Sequence, residues 1–198
     1  MSSTGAGYDL SSTTFSPDGK LFQVEYATKA VENSGTAIGV RCKDGVLVAV
    51  EKLLLSKMLV PGSNRRVHGV DAHAGFATTG NIADARQIVQ RARDECFSHR
   101  DNYGSRIPPR LLADRISQYV HYFTLHGALR PFGAATLLAA YDEDEKHAEL
   151  YMVEPSGVCY RYFGCAIGKG KQGAKTELEK LKLSEMTVAE ALKHLAKM

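Results

Sequence analysis

A hydroxyl nucleophile stands behind a glycine in Ser34-Gly35-Thr36-Ala37-Ile38-Gly39. A threonine released by cleavage after Gly35 would attack a carbonyl with Oγ, its own α-amine serving as base. That chemistry requires a free amine, a carboxylate close by and a lysine that lowers the local proton affinity. Other stretches offer less. Residues 164–173 (GCAIGKGKQG) imitate a phosphate loop, but such a loop needs Gly-x4-Gly-Lys followed by Ser or Thr. Counting back from Gly168-Lys169 reaches Phe163, counting back from Gly170-Lys171 reaches Cys165, and neither lysine precedes a hydroxyl. The stretch reads as a strand-to-helix turn. His121 and His126 are five apart, which puts them on different helix faces, and no HExxH is present. Glu177 and Glu179 lie among lysines and read as a solvated helix face. Cys42, Cys96, Cys159 and Cys165 make no CxxC pair and read as small buried hydrophobes in a reducing compartment. No metal and no cofactor is expected.

The elements that must carry Thr36 follow from periodicity. Ser16-Pro17-Asp18-Gly19 is a turn, because proline fixes φ and glycine accepts a positive one. After it Leu21, Val24, Ala27 and Val31 recur at helical spacing, Phe22 and Tyr26 form a second stripe, and Gly35 is expected to end the helix. Strands are predicted at 36–42 and 46–50 around Lys43-Asp44-Gly45, then at 66–71 and 74–79. Helices are predicted at 82–100 and 109–126, the second beginning on proline. Three more strands are predicted at 134–141, 149–154 and 158–166. Two helices close the chain, one near 169–182 and one from Thr187, where Thr187-Val188-Ala189-Glu190 spells a capping box. Strand pairs and helix pairs in this order predict stacked antiparallel sheets covered by helices.

Composition narrows the functional classes. The 198 residues suit one domain, and 44% hydrophobic with 24% charged residues is ordinary for a globular chain. A net charge of +3, from scattered basic residues, gives no basis for nucleic-acid binding. The N-terminal residues lack the basic-then-apolar build of a secretory signal, and the longest apolar run is too short to cross a bilayer. Neither nucleic acid nor membrane is an expected partner. Residues 2–14 are Ser, Thr and Gly apart from Ala6, Tyr8, Asp9 and Leu10, so residues 1–14 read as a mobile tail ahead of one domain at 15–198.

Tyr8-Asp9, Phe15-Ser16-Pro17-Asp18-Gly19 and Gln23-Val24-Glu25-Tyr26-Ala27 together resemble the N-terminal motif of 20S proteasome α subunits. Gly35-Thr36-Ala37-Ile38-Gly39, Arg130-Pro131-Phe132-Gly133, Pro155-Ser156-Gly157 and Ala166-Ile167-Gly168-Lys169 extend the resemblance over most of the chain. Leu10, where most members carry Arg, points to one branch of that family. The resemblance implies an α+β fold, the N-terminal-nucleophile hydrolase, proteasome-type four-layer αββα sandwich of two antiparallel sheets. Aligning Cys42-Lys43-Asp44-Gly45 with the hairpin of catalytic β subunits puts Gly35 at the nucleophile position and Thr36 one residue past it. Glu51 then stands where those subunits carry the catalytic Asp, and Arg66, give or take one residue, near their Lys. A guanidinium stays charged and is a poor proton shuttle. The implied role is a non-catalytic ring subunit in ubiquitin-dependent protein degradation; the alternative is an autoprocessed threonine amidohydrolase using Thr36. The implied partners are other α subunits in a seven-membered ring, β-ring subunits and regulatory caps with 19S-type ATPase tails, in cytoplasm and nucleus. The resemblance assigns Tyr8, Asp9, Pro17 and Tyr26 to a gate latch, and Arg66 and Gly80 to the pocket that takes a cap's C-terminal tail. Family members usually continue with further strands, so the chain reads as C-terminally truncated.

Overall fold

In the computed structural model residues 7–54 and 56–197 are described; residues 1–6 of the expected tail lie outside them. The Ser16–Gly19 turn closes as its proline and glycine dictate. The Gly19 N–H donates to the Ser16 carbonyl at 2.8 Å, the Ser16 N–H donates to Lys20 at 2.9 Å, and Gly19 takes φ 74°. Helix α1 (Phe22–Glu32) follows and buries Phe22, Ala27 and Val31. Its inward face thus draws on both stripes, while Leu21 and Val24 stay half-buried. Asn33, not Gly35, caps the helix. Gly35 is required for another reason: a Cβ there would sit 2.7 Å from the Glu51 carbonyl oxygen.

Strands β1 (Ala37–Cys42) and β2 (Gly45–Val50) form a hairpin in which Cys42 faces Gly45, leaving Lys43-Asp44 as the loop. β3 (Val67–Asp71) and β4 (Ala74–Gly80) make the second pair. Helix α2 (Ile82–Tyr103) starts under the Asn81 side chain, which accepts from the Ala83 N–H at 2.9 Å, and stops at Gly104 with φ 70°. Helix α3 (Pro109–Tyr122) is shorter than its periodicity suggests. Then come β5 (Ala134–Asp142), β6 (His147–Val153), β7 (Cys159–Arg161), β8 (Gly164–Ile167), α4 (Lys171–Leu178) and α5 (Val188–Leu195). The capping box at Thr187 and Glu190 is formed. No helix among the described residues is long and apolar enough to cross a membrane.

The predicted strand 158–166 is corrected to two. β7 pairs with β6 and β8 pairs with β1, so the segment leaves one sheet and joins the other. The change falls on two residues: the Tyr162 N–H donates to Leu150 of β6 at 2.9 Å, while the Phe163 carbonyl accepts from Arg41 of β1 at 2.7 Å. The sheets are therefore β2-β1-β8 and β3-β4-β5-β6-β7, both antiparallel.

Three apolar layers bind four structural ones. α2 and α3 cover the five-stranded sheet through Phe76, Ile88, Leu112, Ile116 and Leu138. The sheets meet over Val31, Ala77, Leu137, Leu150 and Ile167. α4 and α5 cover the smaller sheet through Ile38, Val40, Leu178 and Ala191. Period-2 alternation does the sorting: Ile38, Val40 and Cys42 face the helices, while Ala37 and Gly39 face the other sheet. Gly39 allows the sheets to close, since a Cβ there would meet Leu150 Cδ1 at 2.8 Å. This is the αββα sandwich expected from the sequence.

Candidate functional site

Strand alternation decides the fate of Thr36. Its side chain lies on the α4 side of β1, where Oγ1 accepts from the Gly170 N–H at 3.0 Å. A Cβ on Gly170 would stand 2.6 Å from that oxygen, so the contact is close. Gly35 lies on the opposite side, at a cleft of about 110 Å³ that it shares with Glu51, Arg66 and Thr79. The carboxylate and the guanidinium thus gather around a residue with no side chain. The Thr36 N–H is part of a peptide bond and donates to Glu51 Oε2 at 3.0 Å. Thr79 Oγ1 donates to the Gly35 carbonyl and lies 2.6 Å from Ser34 Oγ. These bonds hold the backbone at the cleft but supply no nucleophile. Thr36 Oγ1 lies away from the cleft that holds Glu51 and Arg66, so the arrangement does not suit the threonine chemistry.

Arg66 reaches Gly80 directly: its Nη1 donates to the Gly80 carbonyl at 2.6 Å. Burial, then the positive Arg86, draws the Arg66 guanidinium below its ordinary pKa. Gly80 holds φ 96°, and a Cβ would collide with the Gly133 carbonyl, so only glycine fits. That carbonyl accepts from the Asn81 N–H at 2.8 Å. Asp84, on the first turn of α2, braces the same place. It takes both Nη1 and Nη2 of Arg130, at 2.6 and 2.9 Å, and the Gly133 N–H at 2.8 Å. The Arg130 hydrogen bond, opposed by burial and aided by Gly133, holds the Asp84 carboxyl below its ordinary value.

At the N-terminal segment Tyr26 Oη donates to Asp9 Oδ2 at 3.1 Å, and Gln23 Nε2 donates to the Asp9 carbonyl. Desolvation, then the Asp9 hydrogen bond and charge, push the Tyr26 phenol up. Tyr8 and Pro17 make no hydrogen bond with this pair; Pro17 shapes the turn that leads into α1. Ser12 is buried, and its Oγ donates to the carbonyls of His126 and Leu129 at 3.0 and 3.2 Å. Residues 9 and 12, inside the segment read as a tail, therefore contact the body. The sequence carried no signal for Ser12, one of many hydroxyls there. It showed Arg130-Pro131-Phe132-Gly133 as a motif, but not Asp84 as its partner.

The remaining candidates have structural work. His121 Nδ1 lies 2.9 Å from the Ser156 carbonyl. Glu177 and Glu179 pair with Lys180 and Lys175 on an exposed face. Cys42, Cys96 and Cys165 are buried and Cys159 half-buried; burial pushes the Cys96, Cys159 and Cys165 thiols up to about 12. Among the described residues Glu145, His147 and Glu149 bring ligand atoms within 4.8 Å of one another, but Glu149 already accepts from Arg161, Tyr151 and His147.

A proteasome-type sandwich with an emptied nucleophile position is the class this geometry defines. The proteasome subunit family profile matches residues 31–198, and the profile of the N-terminal signature of A-type proteasome subunits matches residues 8–30. The chain belongs to the proteasome subunit family, on its α branch. It is similar to the proteasome alpha type-3 subunit of Spinacia oleracea, 60% identical over 197 residues that span 100% of this chain and 78% of the relative. The alpha type-3 subunit of Arabidopsis thaliana is 59% identical over the same shares. A probable proteasome alpha type-7 subunit of Saccharomyces cerevisiae is 50% identical over 200 residues, 100% of this chain and 69% of that one.

Proposed function

We infer that the chain is a non-catalytic α-ring subunit of the 20S proteasome core, acting in ubiquitin-dependent protein degradation. The observation that carries this is Gly35 at the cleft with Thr36 turned away, behind an N-terminal α signature folded onto the body. Ser12, which bonds the carbonyls of His126 and Leu129, ties that signature to the loop after α3.

The finer assignments extend the same reading. Neighbouring α subunits complete a seven-membered ring above a β ring, and the N-terminal segments close the pore. Tyr8, Asp9, Pro17 and Tyr26 form the latch that orders this segment; the Tyr26–Asp9 hydrogen bond supports that role. Arg66 and Gly80 form the pocket for the C-terminal carboxylate of a cap tail. A guanidinium held beside a glycine backbone suits a carboxylate. Cytoplasm and nucleus are the compartments proposed.

The test is intact-mass measurement of the chain purified within the assembled particle, together with Thr36→Ala. Retention of residues 1–35 and unchanged peptidase activity are expected. A chain beginning at Thr36, or loss of turnover in an assembled Thr36→Ala particle, would overturn the reading in favour of an autoprocessed amidohydrolase.

A further inference from the structure

We propose that a basic cavity at the hairpin end of the sandwich, separate from the Gly35 cleft, binds a phosphomonoester. The cavity measures about 350 Å³ and is enclosed by segments remote in sequence: the end of β1 with its turn, the β5–β6 hairpin, and Phe163 between β7 and β8. That volume falls within the range of small-ligand sites.

Arg41 is the centre of the argument. It shares a face of β1 with Ala37 and Gly39, the face that meets the other sheet. At Arg41 the apolar core has run out, and a guanidinium stands where the sandwich opens. Its Cζ lies 5.6 Å from the Phe163 ring centroid. A cation–π contact of this kind holds the guanidinium at the ring while its N–H groups remain available to an oxyanion. Lys43 borders the cavity from the hairpin turn and Lys146 from the facing hairpin. Among the described residues none of these three cations forms an ion pair.

Several nearby carboxylates have partners: on the hairpin that carries Lys146, Glu143 pairs with Arg106 and Asp142 accepts from the Asp144 and Glu145 N–H groups. Asp44, the one acid in the wall, accepts from the Val188 N–H at 2.8 Å. Glu145 lies 3.4 Å from His147 Nδ1, and Glu149 holds Arg161 at 2.6 Å. Lys146 adds a backbone signal. It is the non-glycine residue with positive φ, 53°, among those described. Lysine lacks the short polar side chain that eases Asn and Asp into that region. That conformation closes the four-residue loop between Asp142 and His147 and holds Lys146 at the tip of the hairpin.

Three cations from two segments, Arg41 and Lys43 at the end of β1 and Lys146 on the β5–β6 hairpin, match a dianion better than a chloride or a single carboxylate. The volume leaves room beside Phe163 and Tyr141 for the group that carries the phosphate, and Ser184 offers a hydroxyl. A free mononucleotide and a phosphorylated side chain present the same phosphomonoester chemistry.

Calorimetric titration of the full chain at low salt tests the site, since screening weakens exposed contacts. The probes are inorganic phosphate, adenosine monophosphate, a phosphotyrosine peptide and chloride. Saturable binding of phosphate is expected, with tighter binding of the carrier that supplies the natural ligand. Arg41→Gln and Lys146→Gly should each weaken it by about tenfold or more, as loss of a charged hydrogen bond does. Lys146→Gly suits the left-handed backbone, so it removes the charge without endangering the fold. Arg110→Gln, on α3, should leave affinity unchanged. No saturable binding of any phosphate probe, chloride binding as tight as phosphate, or full affinity in Lys146→Gly would overturn the proposal.

Discussion

Residue chemistry in this molecule is decided by which side of a backbone a group occupies. Thr36 and Gly35 are adjacent, yet one bonds Gly170 near α4 and the other faces Glu51, Arg66 and Thr79. Asp84 shows the same economy. It neutralises Arg130 and caps Gly133, and so sets the carbonyl that packs against Gly80. Because its folded pKa lies below the ordinary 3.8, Asp84 contributes stability that is fully present above that value. The contribution is lost as pH falls through the lower, folded pKa. Asp84→Asn should therefore cost about 1–3 kcal/mol at neutral pH, and the gap from wild type should narrow on acidification below the ordinary value. Urea melts across that range check it; a gap independent of pH would remove the carboxylate from the account.

Elements here are held at their ends as much as by their faces. α5 begins on a reciprocal cap, with the Glu190 N–H donating to Thr187 Oγ1 at 3.3 Å and the Thr187 N–H donating to Glu190 Oε2 at 2.8 Å. It buries only Ala191 and Leu195, so the cap is a large share of what fixes it. Thr187→Ala should destabilise the protein by about 0.5–2 kcal/mol, and Thr187→Ser by much less. Thermal melts of the two variants give the comparison, and equal melting temperatures would contradict it. β7, three residues long, is held through Arg161, whose Nη1 donates to Glu149 of β6 at 2.6 Å. Burial would raise the Glu149 pKa, but the bonds from Tyr151, His147 and Arg161 outweigh it and lower the value.

Over the whole molecule, the N-terminal segment joins parts that are distant in sequence. Asp9 is tied to α1, and Ser12 to the loop after α3. Deleting residues 2–14 removes those ties and leaves α1 and the sandwich in place. In the ring proposed above, this deletion should raise basal peptide hydrolysis modestly, because the segments of the neighbouring subunits would persist. Fluorogenic-peptide turnover of the two particles measures it. Unchanged turnover would show that this segment does not restrict access.

Local chemistry was legible in the sequence. The Pro17 turn, the period of α2, the cap at Thr187 and the hairpin at Lys43-Asp44 depend on contacts a few residues apart, and propensity encodes those. The offset between Gly35 and Thr36 was legible only through the resemblance, which supplied the nucleophile position; alternation on a strand then put Thr36 on the opposite side. Tertiary structure alone decided the rest. Residues 158–166 form one apolar and aromatic run apart from Arg161, and nothing local says that Tyr162 belongs to one sheet and Phe163 to the next. The docking of Ser12, the Asp84–Arg130 brace and the approach of Lys146 to Arg41 and Lys43 join residues from 46 to over 100 positions apart. Such pairs follow from how the layers stack, and stacking is a property of the folded chain rather than of any one stretch of it.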